Sequence, residues 1–424
     1  SLIKAFESDM KAKGMKLSAK DIYDVNNASL KDAILHFNGG CTAELVSDKG
    51  LILTNHHCGY SAIQSHSSLE NDYLKYGFWA KNHGEELHNE NLYVARMVRI
   101  DDVTEAVNFG IVEGTQDEEA KVLIQKNIQT LIQDAIKGTH YKAEIKPFNY
   151  GNDYYMIVKE IFNDVRLVGA PPNAIGKFGG DTDNWVWPRH TGDFSVFRVY
   201  AGKDNKPAEY SEDNVPYRPL HYLPISLNKR KEGDFTMVYG FPGTTEQHLV
   251  SAQLAYYIEK ERPARIAMRE KSLAVIDAAM RASDKTRIQY SAKQARIANA
   301  YKKWIGQIDG LISLGAIDIK KEREAKYLVK SKEKPEWAKY GEVLGKMEAL
   351  MEENKETDFA YAMNFEYLYY GPEIFRLGRS IKGYLDGFEK FEEEGVLQEK
   401  REAILSGLEG FFKNYDAEVD KNIF

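Results

Sequence analysis

The stretch Leu51-Ile52-Leu53-Thr54-Asn55-His56-His57-Cys58 decides the reading of the fold. It opens on β-formers, ends in two adjacent histidines and a cysteine, and follows directly on the turn formers Ser47-Asp48-Lys49-Gly50. Across that turn lies a second β-like run, Cys41-Thr42-Ala43-Glu44-Leu45-Val46. The pair predicts a β-hairpin with Gly50 closing the turn. Pairing outward from the turn brings Cys41 close to Cys58. These are the chain's two cysteines, and a pair suits free thiols in a cytosolic enzyme as well as a bridge in a secreted protein. The hairpin geometry favours the bridge, which would stabilise the fold by about 3 kcal/mol. Neighbouring strand residues face opposite ways, so His56 and His57 are not expected to bind one metal together, and one of them is singled out for chemistry.

Around the hairpin the texture is β-rich from Gly39 to about Pro242. Short runs at Leu51 to Thr54, Leu92 to Ile100, Tyr154 to Val158, Phe194 to Tyr200 and Phe235 to Tyr239 are punctuated by Gly, Pro, Asn and Asp, with one helical interruption near Glu118 to Lys137. Residues 1 to 35 read as two short helices, with Ser18 before Ala19 and Ser29 before Leu30 placed as caps. Beyond Phe241-Pro242-Gly243 the strands stop and an Ala, Lys, Glu, Arg and Leu-rich helical pattern takes over. The expected fold class is α+β and multidomain: residues 1–243 hold N-terminal helices and a β-barrel, and 244–424 an all-α domain. At 424 residues the chain is too long for one ordinary core. No internal repeat or low-complexity segment stands out. A mean hydropathy of −0.50 and the lack of an apolar run of 18 residues exclude a membrane-spanning helix. A net charge of −7 leaves no basic stripe for nucleic acid. The start at Ser1-Leu2-Ile3 fits a mature or trimmed chain whose signal peptide is gone.

A strand ending in Thr-x-x-His-Cys, with an earlier Cys at the far end of the hairpin, is how chymotrypsin-like proteases present their general-base histidine. On that pattern His57 is the base and His56 is the residue to test against it; a lone histidine is more often structural. A second constellation runs from Gly179 through Asn184-Trp185-Val186-Trp187-Pro188-Arg189-His190-Thr191-Gly192-Asp193-Phe194. Asp193 precedes the alternating run Phe194 to Tyr200, so rigid backbone can fix its carboxylate, as an orienting acid requires. The order His, Asp, then a later Ser is that of chymotrypsin-like enzymes. Other readings are that Asp193 is a turn former, or that Asp181 or Asp183 joins it as an oxygen ligand, although the spacing matches no calcium loop. Trp187 reads as a core aromatic.

These segments resemble the bacterial dipeptidyl peptidase 7/11 family of serine peptidases. The resemblance rests on Gly39-Gly-Cys-Thr-Ala43, on Thr54-Asn-His-His-Cys-Gly-Tyr60 with Ala62-Ile63-Gln64, on Gly179 through Phe194 and on Tyr239-Gly-Phe-Pro-Gly243, and it extends along the whole chain. It implies a chymotrypsin-like double β-barrel with a helical domain inserted between the barrels and capping the cleft. It implies His57 as general base with Asp193 as its partner, and a site for the substrate's free N-terminus at Asn184, Trp185, Arg189 and Asn299. A buried ammonium without acceptors costs several kcal/mol. Arg189 has no acceptor and is better suited to a carboxylate or carbonyl. Asn299 lies in Ile297-Ala-Asn-Ala-Tyr-Lys-Lys-Trp304, where by itself it reads as a polar surface residue.

The departure from the family is the nucleophile. Ser380 in Leu-Gly-Arg-Ser-Ile-Lys and Ser406 in Ile-Leu-Ser-Gly-Leu lack a Gly-x-Ser-Gly strand turn. The expectation is therefore a serine dipeptidyl peptidase cut before its serine and second barrel. Since losing a triad serine costs about 10^6 in turnover, this polypeptide is expected to be inactive alone. The intact enzyme would act on peptides by acyl-enzyme chemistry, without metal or organic cofactor. An endopeptidase on the same barrel and a non-catalytic peptide-binding protein are the alternatives. The family resemblance also implies a homodimer, and with the disulfide it implies a periplasmic or cell-surface location.

Overall fold

The computed structural model describes residues 2–112, 114–180, 184–246 and 248–423. It is a mixed α/β chain with one large antiparallel sheet and many helices. Two compact units divide it: residues 1–66, 73–177 and 192–243 form the first, and 67–72, 178–191 and 244–424 the second.

The first unit is built on the sheet. Its strands are β1 (Ile34–Phe37), β2 (Cys41–Leu45), β3 (Leu51–Thr54), β4 (Phe78–Trp79), β5 (Leu87–His88), β6 (Val94–Asp102), β7 (Lys142–Phe148), β8 (Asp153–Phe162), β9 (Val165–Ala170), β10 (Ser195–Ala201) and β11 (Val215–Pro216). They run β4-β9-β10-β3-β2-β1-β6-β8-β7, with β5 added on β9 and β11 on β10. The β2–β3 hairpin forms as expected, pairing Glu44 with Leu53 and Leu45 with Ile52. Ser47 Oγ accepts from the backbone N–H of Lys49 and Leu51, and Gly50 sits at φ +64°, where a side chain would meet the Val199 carbonyl. Alternation along the strands sends Phe37, Ala43, Leu45, Ile52 and Phe197 inward; Phe37 and Phe197 pack with ring centroids 5.1 Å apart. Ser18 and Ser29 both close capping boxes, with Asp21 and Asp32.

Two expectations fail locally. The β3 strand ends at Thr54, and His56 and His57 open the helix His56–Ser65. Asn55, extended at φ −69° and ψ 150°, is its N-cap. The two histidines are thus consecutive helical residues, about 100° apart around the axis rather than on opposite faces of a strand. They still diverge. The run Phe235 to Tyr239 forms no strand: Val238 is 96% exposed and no ladder partner lies beside the segment among the described residues. β-propensity alone does not make a strand where nothing pairs with it.

The second unit is helical. The helices Arg262–Ala282 and Asp284–Ser313 form a hairpin whose turn is capped by Ser283, accepting from the Thr286 N–H. Leu273, Ile276, Tyr290, Ile297 and Ala298 make its core, joined by Val419. Arg265 and Arg269 share the carboxylate of buried Glu366, and both guanidiniums lie over Trp304. Among the described residues no helix is long and apolar enough to cross a membrane.

Candidate active site

The disulfide anchors the site. Cys41 begins β2 and Cys58 lies in the first turn of the helix His56–Ser65; they are bonded, with Cα atoms 6.2 Å apart. The bond ties the helix start to the far end of the hairpin. A Cys41, His57 and Cys58 cluster has ligand spacing among the described residues, but both sulfurs are spent in the disulfide and offer no thiolate.

His57 and Asp193 meet directly. Asp193 Oδ2 lies 2.7 Å from His57 Nδ1, and Asp193 Oδ1 accepts the His57 backbone N–H at 3.0 Å. One carboxylate thus fixes both the ring and the backbone of the same residue. Asn55 adds a third hold: its Nδ2 donates to Asp193 Oδ2 at 3.3 Å and to the Asp193 carbonyl at 3.2 Å. The Asn55 carbonyl accepts from the hydroxyl of fully buried Ser195 at 2.9 Å. Asp193 is placed by β10, whose Ser195 pairs with Thr54 of β3, so the strand pairing brings acid and base together across 136 residues of chain. Burial by itself would raise the Asp193 pKa, but the hydrogen bond and charge of His57 outweigh it and hold the carboxyl below its ordinary value. With Nδ1 committed, Nε2 is the ring's free nitrogen. The His57 side chain is 68% exposed, and no described residue bonds that nitrogen.

His56 takes the opposite role. It is 1% exposed, its Nε2 bonds Asn173 Oδ1 at 3.0 Å, and Asn173 Nδ2 donates to the Tyr60 hydroxyl at 3.1 Å. Tyr60 meets the His56 ring edge-on, and Gly176 presses against it so closely that a Cβ there would lie 2.5 Å from His56 Cγ. Burial lowers the His56 pKa, which keeps the ring neutral. A residue so enclosed packs; it cannot reach a substrate.

The predicted amine-binding residues lie in the second unit. Asn299, on the helix Asp284–Ser313, accepts at Oδ1 from Asn184 Nδ2 at 3.0 Å and from Trp185 Nε1 at 3.0 Å; Trp185 Nε1 also reaches the Asn299 carbonyl at 3.1 Å. Three of the four predicted residues therefore form one cluster. Trp185 holds a left-handed backbone, φ +59°, and Lys303 Nζ stands 5.7 Å from its ring centroid. Arg189 is not part of the cluster: it is exposed and makes no hydrogen bond or ion pair among the described residues. Trp187, expected in a core, is 88% exposed. It lies in an exposed loop with Trp185 and Val186, before a cis Pro188. Asp181 and Asp183, weighed as oxygen ligands, lie outside the described residues. Sequence reasoning missed Asn55 and Asn173. Neither carries a readable signal: in composition the residues that Asn55 precedes continue a strand, and its side chain bonds Asp193 instead of capping the helix that forms there.

A histidine held by a carboxylate at one ring nitrogen and open at the other has the geometry that an acid–base couple needs. The chain belongs to the peptidase S46 family, whose profile matches residues 2–424. It is 48% identical over 416 residues to an Asp/Glu-specific dipeptidyl-peptidase of Capnocytophaga gingivalis, covering 98% of this chain and 58% of that protein. It is 40% identical over 422 residues to dipeptidyl-peptidase 7 of Phocaeicola vulgatus, covering 98% and 58%. The structure superposes on that of Porphyromonas endodontalis DPP11 in complex with the dipeptide Arg-Asp with a TM-score of 0.82 and 37% identity, covering 99% of this chain and 60% of that one. The chain thus spans about three-fifths of the length of these relatives.

Proposed function

We propose that this chain carries the general base and the substrate-amine site of a serine-type dipeptidyl aminopeptidase. The observation that carries the reading is the His57 Nδ1 to Asp193 Oδ2 contact of 2.7 Å, backed by the His57 N–H on the same carboxylate. In that arrangement Asp193 holds the proton on Nδ1, so Nε2 takes the proton from an attacking hydroxyl and later returns it to the departing amine. The imidazolium that forms between these steps is stabilised by Asp193. Further support comes from the family and from relatives named as dipeptidyl-peptidases.

The nucleophile is a serine supplied outside these 424 residues. Ser195 is buried on the Asn55 carbonyl, Ser380 donates to the Arg376 carbonyl within a helix, and Ser406 lies in the helix Leu397–Lys413. None bonds His57. On this reading the sheet corresponds to the first barrel of a chymotrypsin-like pair. The substrate's free ammonium is read by Asn184 and Asn299. Both donors that face Asn299 Oδ1 are already in place, which leaves Asn184 Oδ1 as an acceptor with no partner among the described residues. Arg189, with no partner among the described residues, suits a peptide carbonyl or carboxylate. The disulfide supports an oxidising location, the periplasm or cell surface, and a homodimer is the assembly the resemblance implies.

The test is hydrolysis by the full-length protein of chromogenic dipeptides with free and with N-acetylated amines, with acidic and apolar residues before the scissile bond as separate arms. The reading expects cleavage of the free-amine substrates, loss of that cleavage in His57→Ala, and failure on the acetylated ones. Cleavage of the acetylated substrates would identify an endopeptidase.

A further inference from the structure

The helical unit holds a cavity of about 180 Å³ lined by Lys293, Arg296, Ile297, Tyr369, Tyr370, Glu373 and Arg376. Its floor is built rather than incidental. Lys293 is only 8% exposed and donates to the Gly371 carbonyl at 3.1 Å, with Glu373 and Asp420 each 3.9 Å away. Both acids have other work. Asp420 receives the backbone N–H groups of Glu373 and Ile374 on its two oxygens, and Glu373 Oε1 faces Arg376 Nη2 at 3.5 Å. Arg296 has no hydrogen-bond or ion-pair partner among the described residues. Arg296 is exposed at the cavity wall, and the protein around it first, with the charge of Arg376 second, holds its pKa below the ordinary arginine value. Three cations, Lys293, Arg296 and Arg376, stand against two anions, Glu373 and Asp420, so one positive charge is uncompensated.

Arg296 and Arg376 are both exposed to the cavity and repel one another beside the ammonium of buried Lys293, and an oxyanion between them offsets that repulsion. The planar fork of arginine takes two oxygens of a carboxylate or phosphate in parallel. At about 30 Å³ per water, the cavity has room for such a group and a few waters, and not for a folded segment. The geometry points to an oxyanion-binding site, for a carboxylate or a phosphate, held by Arg296 and Arg376 above Lys293. The site is independent of the peptidase reading. Arg296 precedes Asn299 by three residues on one helix, so an occupied site would steady the turn that carries the Asn184 and Trp185 contacts.

Isothermal titration calorimetry of this chain with inorganic phosphate and, separately, with acetate, both at constant ionic strength, tests the site. Saturable binding of one ion per chain is expected for at least one probe, and which probe binds tells phosphate from carboxylate chemistry. Arg296→Gln should weaken it by at least about tenfold, while the remote Lys339→Gln should leave it unchanged, with circular dichroism reporting the fold of each variant. Should Arg296→Gln fail to fold, Arg376→Gln is read in its place by the same criterion. No saturable binding of either ion, or equal affinity in the folded arginine variant, overturns the proposal.

Discussion

Asp193 illustrates how one carboxylate can both shape a site and energise it. It accepts from the His57 ring and the His57 backbone, and Asn55 donates to the same group. Replacing it with Asn keeps the shape but loses the acceptor that selects the Nδ1–H tautomer, so kcat of the full-length enzyme should fall by about 10^4-fold with KM little changed. The stability of the sheet unit should also become pH-dependent through this residue. Its folded pKa lies below the ordinary carboxylate value, so the contact's contribution is fully present above that ordinary value and is lost as pH falls through the depressed one. Urea midpoints of wild type and Asp193→Asn should therefore differ most near neutrality and converge in acid. The two histidines separate by a different measurement. On the proposed reading His57→Ala should abolish turnover of the full-length enzyme while lowering the melting temperature far less than His56→Ala does, because its ring is mostly exposed. His56→Ala, which opens a hole against Gly176 and orphans Asn173, should cost roughly 3 kcal/mol in denaturant unfolding.

At the scale of elements, the hairpin β2–β3 and the helix after it act as one piece because Cys41 and Cys58 join them. Their separation of 17 residues makes the constraint on the unfolded chain worth about 3 kcal/mol. Cys41→Ser should lower the denaturant midpoint of the sheet unit accordingly, and dithiothreitol should reproduce that loss in wild type and leave the variant unaffected. The hairpin itself was legible in the sequence, since Ser47 to Gly50 is turn chemistry with one positive-φ position that glycine fills without strain. The end of β3 was not. Asn55-His56-His57 continues the β-like run in composition, but Asn55 stands at the N-cap position of a helix there, and the docking of β10 beside β3 lets Asp193 bond the first turn. The run Phe235 to Tyr239 misled for the converse reason: its residues favour a strand, and no neighbouring strand among the described residues completes a ladder with it.

Across the whole molecule the two units carry separate cores, one built on Phe37, Ile52 and Phe197 and the other on Ile276, Tyr290 and Ile297. Differential scanning calorimetry should accordingly resolve two transitions, of which Cys41→Ser moves only the one belonging to the sheet unit. A single transition shifted as a whole would show instead that the units unfold together. The sequence by itself determined the change from a β-rich to a helical pattern past Gly243, though not that residues 67–72 and 178–191 join the helical unit, together with the hairpin, its cysteine pair and His57 and Asp193 as candidates, because periodicity, turn chemistry and motif spacing are local properties of the chain. Only the tertiary structure decided that His57 rather than His56 faces outward, that Asn184 and Trp185 converge on Asn299 while Arg189 stays apart, and that Arg296 has no partner among the described residues. Burial and pairing depend on which distant segments pack against a residue, and spacing along the chain does not encode that.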